Sequence, residues 1–184
     1  MSARFACGMP GLMQNYYITY MKNLIVAMAL GLCSTVACAQ GESEKDFHDV
    51  RLATLKGDSV SLSAYVGKHK YVLVDFWASW CGPCMREMPN VKAAYAKYKS
   101  RGLEVVGISL DRDKRAWQGA VTRMEMTWPQ MTDVNASGSN AATVYGVQYI
   151  PYTLIFDKKG NIVAQNLHGA EMLDKLEELM PAKK

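Results

Sequence analysis

Several things are scarce in this 184-residue chain, and each scarcity excludes something. Six prolines and fourteen glycines are too few for a collagen-like or low-complexity chain. Charge of one sign is not in excess: 21 Lys and Arg face 17 Asp and Glu, a formal +4, without the clustered basic face of a nucleic-acid binder. The longest apolar run, Leu24 to Leu32, falls well short of the ~20 residues a helix needs to span a bilayer. Three histidines, His48, His69 and His168, are scattered and offer no metal-ligand spacing. No internal repeat is visible. What is present is a 49% hydrophobic composition, far too apolar for a disordered chain, and a length that fits one domain with a tail. The count that resists interpretation is five cysteines, an odd number.

Their positions resolve it. Residues 1–39 carry two charges, Arg4 and Lys22, and no acid. Met21-Lys22-Asn23 leads into the apolar run, and small residues follow to Ala37-Cys38-Ala39 before Gln40. A basic start, a short apolar stretch and an A-x-A site describe a secretory signal peptide over 1–39, with the true start possible at Met21. Such a leader predicts export to the periplasm. Cys38 leaves a second route open, a lipidated cysteine anchoring the mature chain to a membrane, although Thr35 stands where such signals carry leucine. Cleavage after Ala39 removes Cys7, Cys33 and Cys38 and leaves Cys81 and Cys84, with 19 basic against 17 acidic groups.

Downstream, 40–46 reads as a polar linker and 47–184 as a single domain. Val50–Leu52 and Val60–Leu62 alternate around Lys56-Gly57-Asp58 like a small hairpin. Tyr71 to Phe76 is a near-continuous apolar run, the pattern of a central strand buried on both faces. From Pro83 the period becomes helical, with Cys84, Met88, Val91, Tyr95 and Tyr98 on one stripe, closed at Arg101-Gly102. Leu103 to Ser109 reads as a second buried strand. A helix is expected over Asp111–Met124, with Ala116, Trp117, Ala120, Val121 and Met124 inward. A short strand over Thr127–Met131 and a short helix over Ala141–Tyr145 follow. Thr153–Asp157 and Asn161–Ala164 form a hairpin around Lys158-Lys159-Gly160. The last helix buries Met172, Leu173, Leu176, Leu179 and Met180. Strands interleaved with helices predict an α/β fold with a central mixed sheet.

The chemistry concentrates in Trp77-Ala78-Ser79-Trp80-Cys81-Gly82-Pro83-Cys84, between the buried strand and the helix. Two cysteines three positions apart can close a disulfide across the first turn. Cys81 lies at the helix N-terminus, where free N–H groups and the helix dipole favour a thiolate and so a nucleophile. Cys84, one turn inside, is the more enclosed and suits the resolving role. Pro83 fits a first turn, where its missing N–H costs nothing. A zinc half-site would need two further ligands that the domain lacks. A purely structural bridge closing so short a loop would remove little chain entropy.

The chain resembles the thioredoxin superfamily, and within it the exported TlpA/ResA-like thiol–disulfide oxidoreductases. The likeness runs from about Phe47 to the C-terminus. It rests on Val-Asp-Phe-Trp-Ala-Ser-Trp-Cys-Gly-Pro-Cys at 74–84, Arg-Glu-Met-Pro at 86–89 and Tyr-Ile-Pro-Tyr-Thr at 149–153. The helix and strand expected between Asp111 and Met131 match an insertion of this branch. The resemblance implies a thioredoxin fold in which Cys81 attacks a substrate disulfide and Cys84 releases the mixed disulfide. It implies that Pro151 is a cis-proline opposite the disulfide, preceded by Ile150, and that Pro89 kinks the active-site helix. Trp80, Gly82, Pro83 and Ile150 would contact substrate. Two acids compete to handle protons. Asp75 matches the buried acid of thioredoxins, whereas Glu87 matches the acid of the TlpA/ResA branch, many members of which are neutral where Asp75 stands. Burial favours Asp75.

The function expected is protein-disulfide reduction in the cell envelope by a monomeric enzyme. No cofactor or metal is called for, and a membrane electron donor is implied. The Gly-Pro dipeptide is of the thioredoxin type, about −270 mV, on the reducing side. A disulfide oxidase or isomerase would use the same residues in the opposite direction. A thiol peroxidase would need Pro at 74 and Thr at 78, where Val74 and Ala78 stand. A non-catalytic binding module would have little reason to keep both cysteines and the acid.

Overall fold

A computed structural model describes residues 46–132 and 140–182; the leader, the cleavage site and Cys38 lie outside the described residues. Seven strands form one mixed sheet in the order β2-β1-β5-β4-β3-β6-β7. They are β1 (Arg51–Thr54), β2 (Ser59–Ser61), β3 (Tyr71–Trp77), β4 (Leu103–Ser109), β5 (Gln130–Thr132), β6 (Tyr152–Asp157) and β7 (Ile162–Gln165). The helices are α1 (Gly82–Tyr98), α2 (Lys114–Arg123), α3 (Ala141–Val144) and α4 (Gly169–Leu179). β3 pairs parallel with β4 and antiparallel with β6, and β4 pairs parallel with β5. The β1–β2 and β6–β7 hairpins close the two edges.

β3 is central because its side chains are apolar on both faces, which only a strand covered on both sides can accommodate. Val72, Val74 and Phe76 pack with Val106, Ile108, Leu154 and Phe156 on one face. Leu73 and Trp77 face the other way, onto Cys84, Met88, Val91 and Tyr95 of α1, Trp117 of α2 and Met172 and Leu176 of α4. The expected stripe of α1 is buried at all five positions. The helix runs through Pro89, which has no N–H to give the Met85 carbonyl. It then tightens into a single 3₁₀ turn before Gly102, whose φ of 101° needs a residue without Cβ.

The inserted element departs from the sequence reading at both ends. Its helix begins at Lys114, not Asp111, because the Asp113 carboxylate caps it by accepting from the Arg115 and Ala116 N–H groups at 2.8 and 3.4 Å. Ala116 consequently faces solvent, while Trp117, Ala120 and Val121 are buried as expected. The strand is Gln130–Thr132 and not Thr127–Met131. Pro129 has no N–H to enter a ladder; its carbonyl accepts from the Gly107 N–H at 2.9 Å, and regular pairing starts one residue later.

Candidate active site

Cys81 and Cys84 form a disulfide at the head of α1, with Cα atoms 5.2 Å apart. Cys81 is the N-cap of the helix: its backbone is extended, and its Sγ lies 3.2 Å from the Cys84 N–H that points at it. The amide groups of an open helix end therefore face this sulfur, the arrangement that stabilises a thiolate. Both cysteines are enclosed, Cys84 (1% exposed) more than Cys81 (5%). Gly82 and Pro83 open the helix on its exposed side. The Ile150–Pro151 bond is cis, and the Ile150 carbonyl oxygen stands 3.7 Å from the Cys81 Sγ. The loop before Pro151 is thus brought against the Cys81 sulfur from 69 residues further along the chain.

Around that sulfur the surface is aromatic. Trp80 is 68% exposed and Tyr149 is 58% exposed, two of the three large hydrophobic side chains that stand open among the described residues. Trp77 and Phe76, by contrast, are core residues. Tyr149 is held in place by the Asn166 side chain, which donates to its hydroxyl at 2.9 Å, and by an edge contact with Tyr152. Sequence reading passed over Tyr149, although it stands two residues before Pro151 within the quoted motif.

Asp75 sits at the middle of β3, 1% exposed, on the face that carries α1. Its Oδ1 has no hydrogen-bond partner. Burial, and secondarily the negative charge of Glu87, push its carboxyl up to about 7 from an ordinary 3.8. Glu87 is differently placed. Its Oε1 accepts the Gly169 N–H at 2.7 Å and its Oε2 accepts from the Asn90 side chain at 3.0 Å. His168, the N-cap of α4, gives that helix no side-chain cap. Glu87 of α1 therefore caps α4 from across the domain, a partnership 82 residues apart.

Asp111 is a structural member of the site that the sequence concealed. Its buried carboxylate accepts from the Ser79 N–H (2.9 Å), the Ser79 hydroxyl (2.6 Å) and the Ser109 hydroxyl (2.7 Å). These three bonds tie the end of β4 to the loop that presents Trp80 and Cys81. Among the described residues no cluster of His, Cys, Asp and Glu is placed to hold a metal ion.

A seven-stranded mixed sheet with a disulfide capping the helix after its central strand, and a cis-proline opposite, defines a thioredoxin-fold thiol–disulfide oxidoreductase. The AhpC/TSA family model matches residues 44–165, and the chain belongs to that family. The thiol-disulfide oxidoreductase ResA of Bacillus thuringiensis subsp. konkukian is 30% identical over 139 residues, which cover 76% of this chain and 77% of that protein. Its namesake from Geobacillus kaustophilus is 35% identical over 126 residues, 68% of each chain. Among solved structures, a thiol-disulfide oxidoreductase from Bacteroides fragilis superposes with a TM-score of 0.65 at 32% identity, covering 72% of this chain and 97% of that one. A thiol:disulfide interchange protein from a Bacteroides species gives 0.65 at 30% identity, covering 74% and 89%. The chain is a thiol–disulfide oxidoreductase of this type, and such enzymes act on proteins that bear disulfides.

Proposed function

We propose that this protein is an exported reductase that returns disulfides of envelope proteins to thiols, working as a monomer and recharged by a membrane electron donor. The observation that carries the reading is the pairing of a sulfur at an open helix end with a buried, unpartnered acid on the strand behind it. In the reduced protein the Cys81 thiolate attacks the client disulfide. A mixed disulfide forms, and one client thiolate leaves and takes up a proton. Cys84 then gives its proton to Asp75 and attacks the Cys81 Sγ. The second client sulfur departs and is protonated, and the Cys81–Cys84 disulfide is restored. Two electrons and two protons pass to the client, and a dithiol donor must supply two electrons for the next cycle. A carboxyl near 7 is suited to accepting and releasing a proton at neutrality.

Trp80 and Tyr149, with the exposed Gly82 and Pro83, offer an apolar platform for an extended client segment, and Ile150 and Pro151 offer backbone to it. The proposed periplasmic location rests on the leader-like pattern of residues 1–39, with a lipid anchor at Cys38 as the variant form. The direction of flux is tested by the reduction potential of the Cys81–Cys84 pair. A value on the reducing side, near the roughly −270 mV of thioredoxin, supports the proposal, and one near about −120 mV would make the protein an oxidant. Trapping with Cys84→Ser, which stalls the mixed disulfide on Cys81, then recovers the clients. Clients drawn from the envelope support the reading, and clients confined to the cytosol refute it.

A further inference from the structure

The sheet behind the disulfide carries a row of in-register positions running across four strands: Gln130 of β5, Gly107 of β4, Asp75 of β3 and Thr153 of β6. In-register residues of paired strands share a face. Here it is the face under α1, since Leu73 and Trp77, which alternate with Asp75, pack there. Two buried polar atoms on this row lack partners, the Asp75 Oδ1 and the Gln130 Nε2. One is an acceptor when ionised and the other a donor of two hydrogens.

The other neighbours cannot serve Asp75. The Thr153 hydroxyl gives its proton to the Leu167 carbonyl at 2.8 Å and accepts the Leu167 N–H at 3.0 Å, so its donor is spent. Gly107 has no side chain, and the Gln130 carboxamide lies over it. A Cβ at Gly107 would collide first with the Gln130 Oε1 and would stand 2.7 Å from its Nε2 and 2.8 Å from its Cδ. Trp77 Nε1 donates to the Gln130 Oε1 at 3.2 Å, which fixes the oxygen end of the amide and leaves the NH₂ end for another acceptor. Position 107 must therefore be glycine for a side chain from β5 to reach across β4 toward β3. β3 and β5 flank β4, but with the amide already over Gly107 one strand spacing, about 4.8 Å, remains to Asp75, a gap that two hydrogen bonds through one water can bridge.

We propose that Gln130 is a positioning residue for Asp75, its Nε2 amide donating to the carboxylate through one buried water between them. The inference rests on the reading of Asp75 as the group that exchanges a proton with Cys84. Of the elements packed on Asp75, β4 and β6 present Gly107 and Thr153, which do not titrate. α1 presents Glu87, whose charge raises the Asp75 carboxyl, together with Cys84 once the disulfide is open. A donor that serves the ionised form acts against burial and Glu87 and draws the acid back toward its ordinary range.

The test is NMR titration of the oxidised full-length chain over about pH 4 to 9, where the cysteines do not ionise. The Asp75 carboxyl carbon and the Gln130 side-chain amide are followed together. In the unaltered protein the Gln130 amide should inflect at the Asp75 midpoint, and Asp75→Asn should abolish that inflection. Gln130→Met removes the donor, and Gly107→Ala pushes the amide aside. Each should raise the Asp75 midpoint by about one pH unit. A Gln130 amide blind to the Asp75 titration overturns the proposal without any variant, and so does a midpoint unmoved in both variants. Mere loss of the Trp77 partner would lower the melting temperature of Gln130→Met and leave the midpoint in place. A midpoint that moves while the pH profile of disulfide reduction stays fixed upholds the pairing and removes Asp75 from proton transfer.

Discussion

Replacing Asp75 with asparagine should change how stability depends on pH, by an amount set by the burial of this carboxyl. In the folded protein burial, reinforced by Glu87, holds the group at about 7, and in the unfolded chain it returns to its ordinary 3.8. The native state thus keeps a proton over a range where the unfolded chain has lost it. Below about pH 4 both states are protonated and the stabilisation is complete; it drains away as pH rises toward 7, and above that both states are charged and none remains. At 1.36 kcal/mol for each pH unit separating the two values, the step amounts to about 4 kcal/mol. Asparagine has the same outline and no such step.

The difference in stability between variant and parent should therefore grow in favour of the variant by about 4 kcal/mol between pH 4 and pH 8. Guanidinium unfolding of the oxidised protein reads this as a midpoint difference that widens by roughly 1 M over that range. Taking the difference cancels the groups both proteins share, including Asp157 and Glu177, whose carboxyls are held low by hydrogen bonds and, for Glu177, by Lys97. Parallel stability curves for the two proteins would refute the reasoning, because a carboxyl that ionises without cost is not one held up by burial.

Three further outcomes follow from the same geometry. Asp111→Ala strips the acceptor from two donors of Ser79 in the loop before Cys81 and one of Ser109 at the end of β4, and should cost about 2–3 kcal/mol in chemical denaturation; a loss below about 0.5 would show that other contacts hold the loop. Glu87→Ala uncaps α4 and should cost about 1 kcal/mol with faster hydrogen exchange at the Gly169 amide, whereas Glu87→Gln, which still accepts that N–H, should recover most of it. Trp80→Ala, at an exposed position, should leave stability within about 0.5 kcal/mol. It should slow reduction of a protein disulfide several-fold while exchange with dithiothreitol stays the same; equal effects on both would remove Trp80 from client contact.

What the sequence made legible is what local periodicity encodes. β3 was readable because both its faces are apolar, and α1 because five side chains repeat on one stripe. The inserted helix was misplaced by three residues because Asp111 and Asp113 are equivalent as local caps. Only Ser79 and Ser109, brought close by the sheet, assign Asp111 to the loop. β5 is three residues long, and its register comes from pairing with β4 and β1, so no period within it could fix its ends. Gln130 was invisible for a related reason: its position depends on a missing side chain at Gly107, on another strand. The leader was read from pattern alone.

The choice between the two carboxylates can now be argued from their partners. Both oxygens of Glu87 are occupied, one by the Gly169 N–H and the other by the Asn90 side-chain amide. Releasing a proton-accepting oxygen there would uncap α4. No protein group bonds the Asp75 Oδ1 directly, so a proton is the cheapest partner it can take. The group with the least support is the one free to cycle its charge. Measured separately, Asp75→Asn should remove the inflection near pH 7 from the rate of disulfide reduction. Glu87→Gln should keep that inflection and move it to lower pH, since a neighbouring like charge is gone. A profile untouched by Asp75→Asn and abolished by Glu87→Gln would give the role to Glu87, and α4 would then have to loosen once in each turnover.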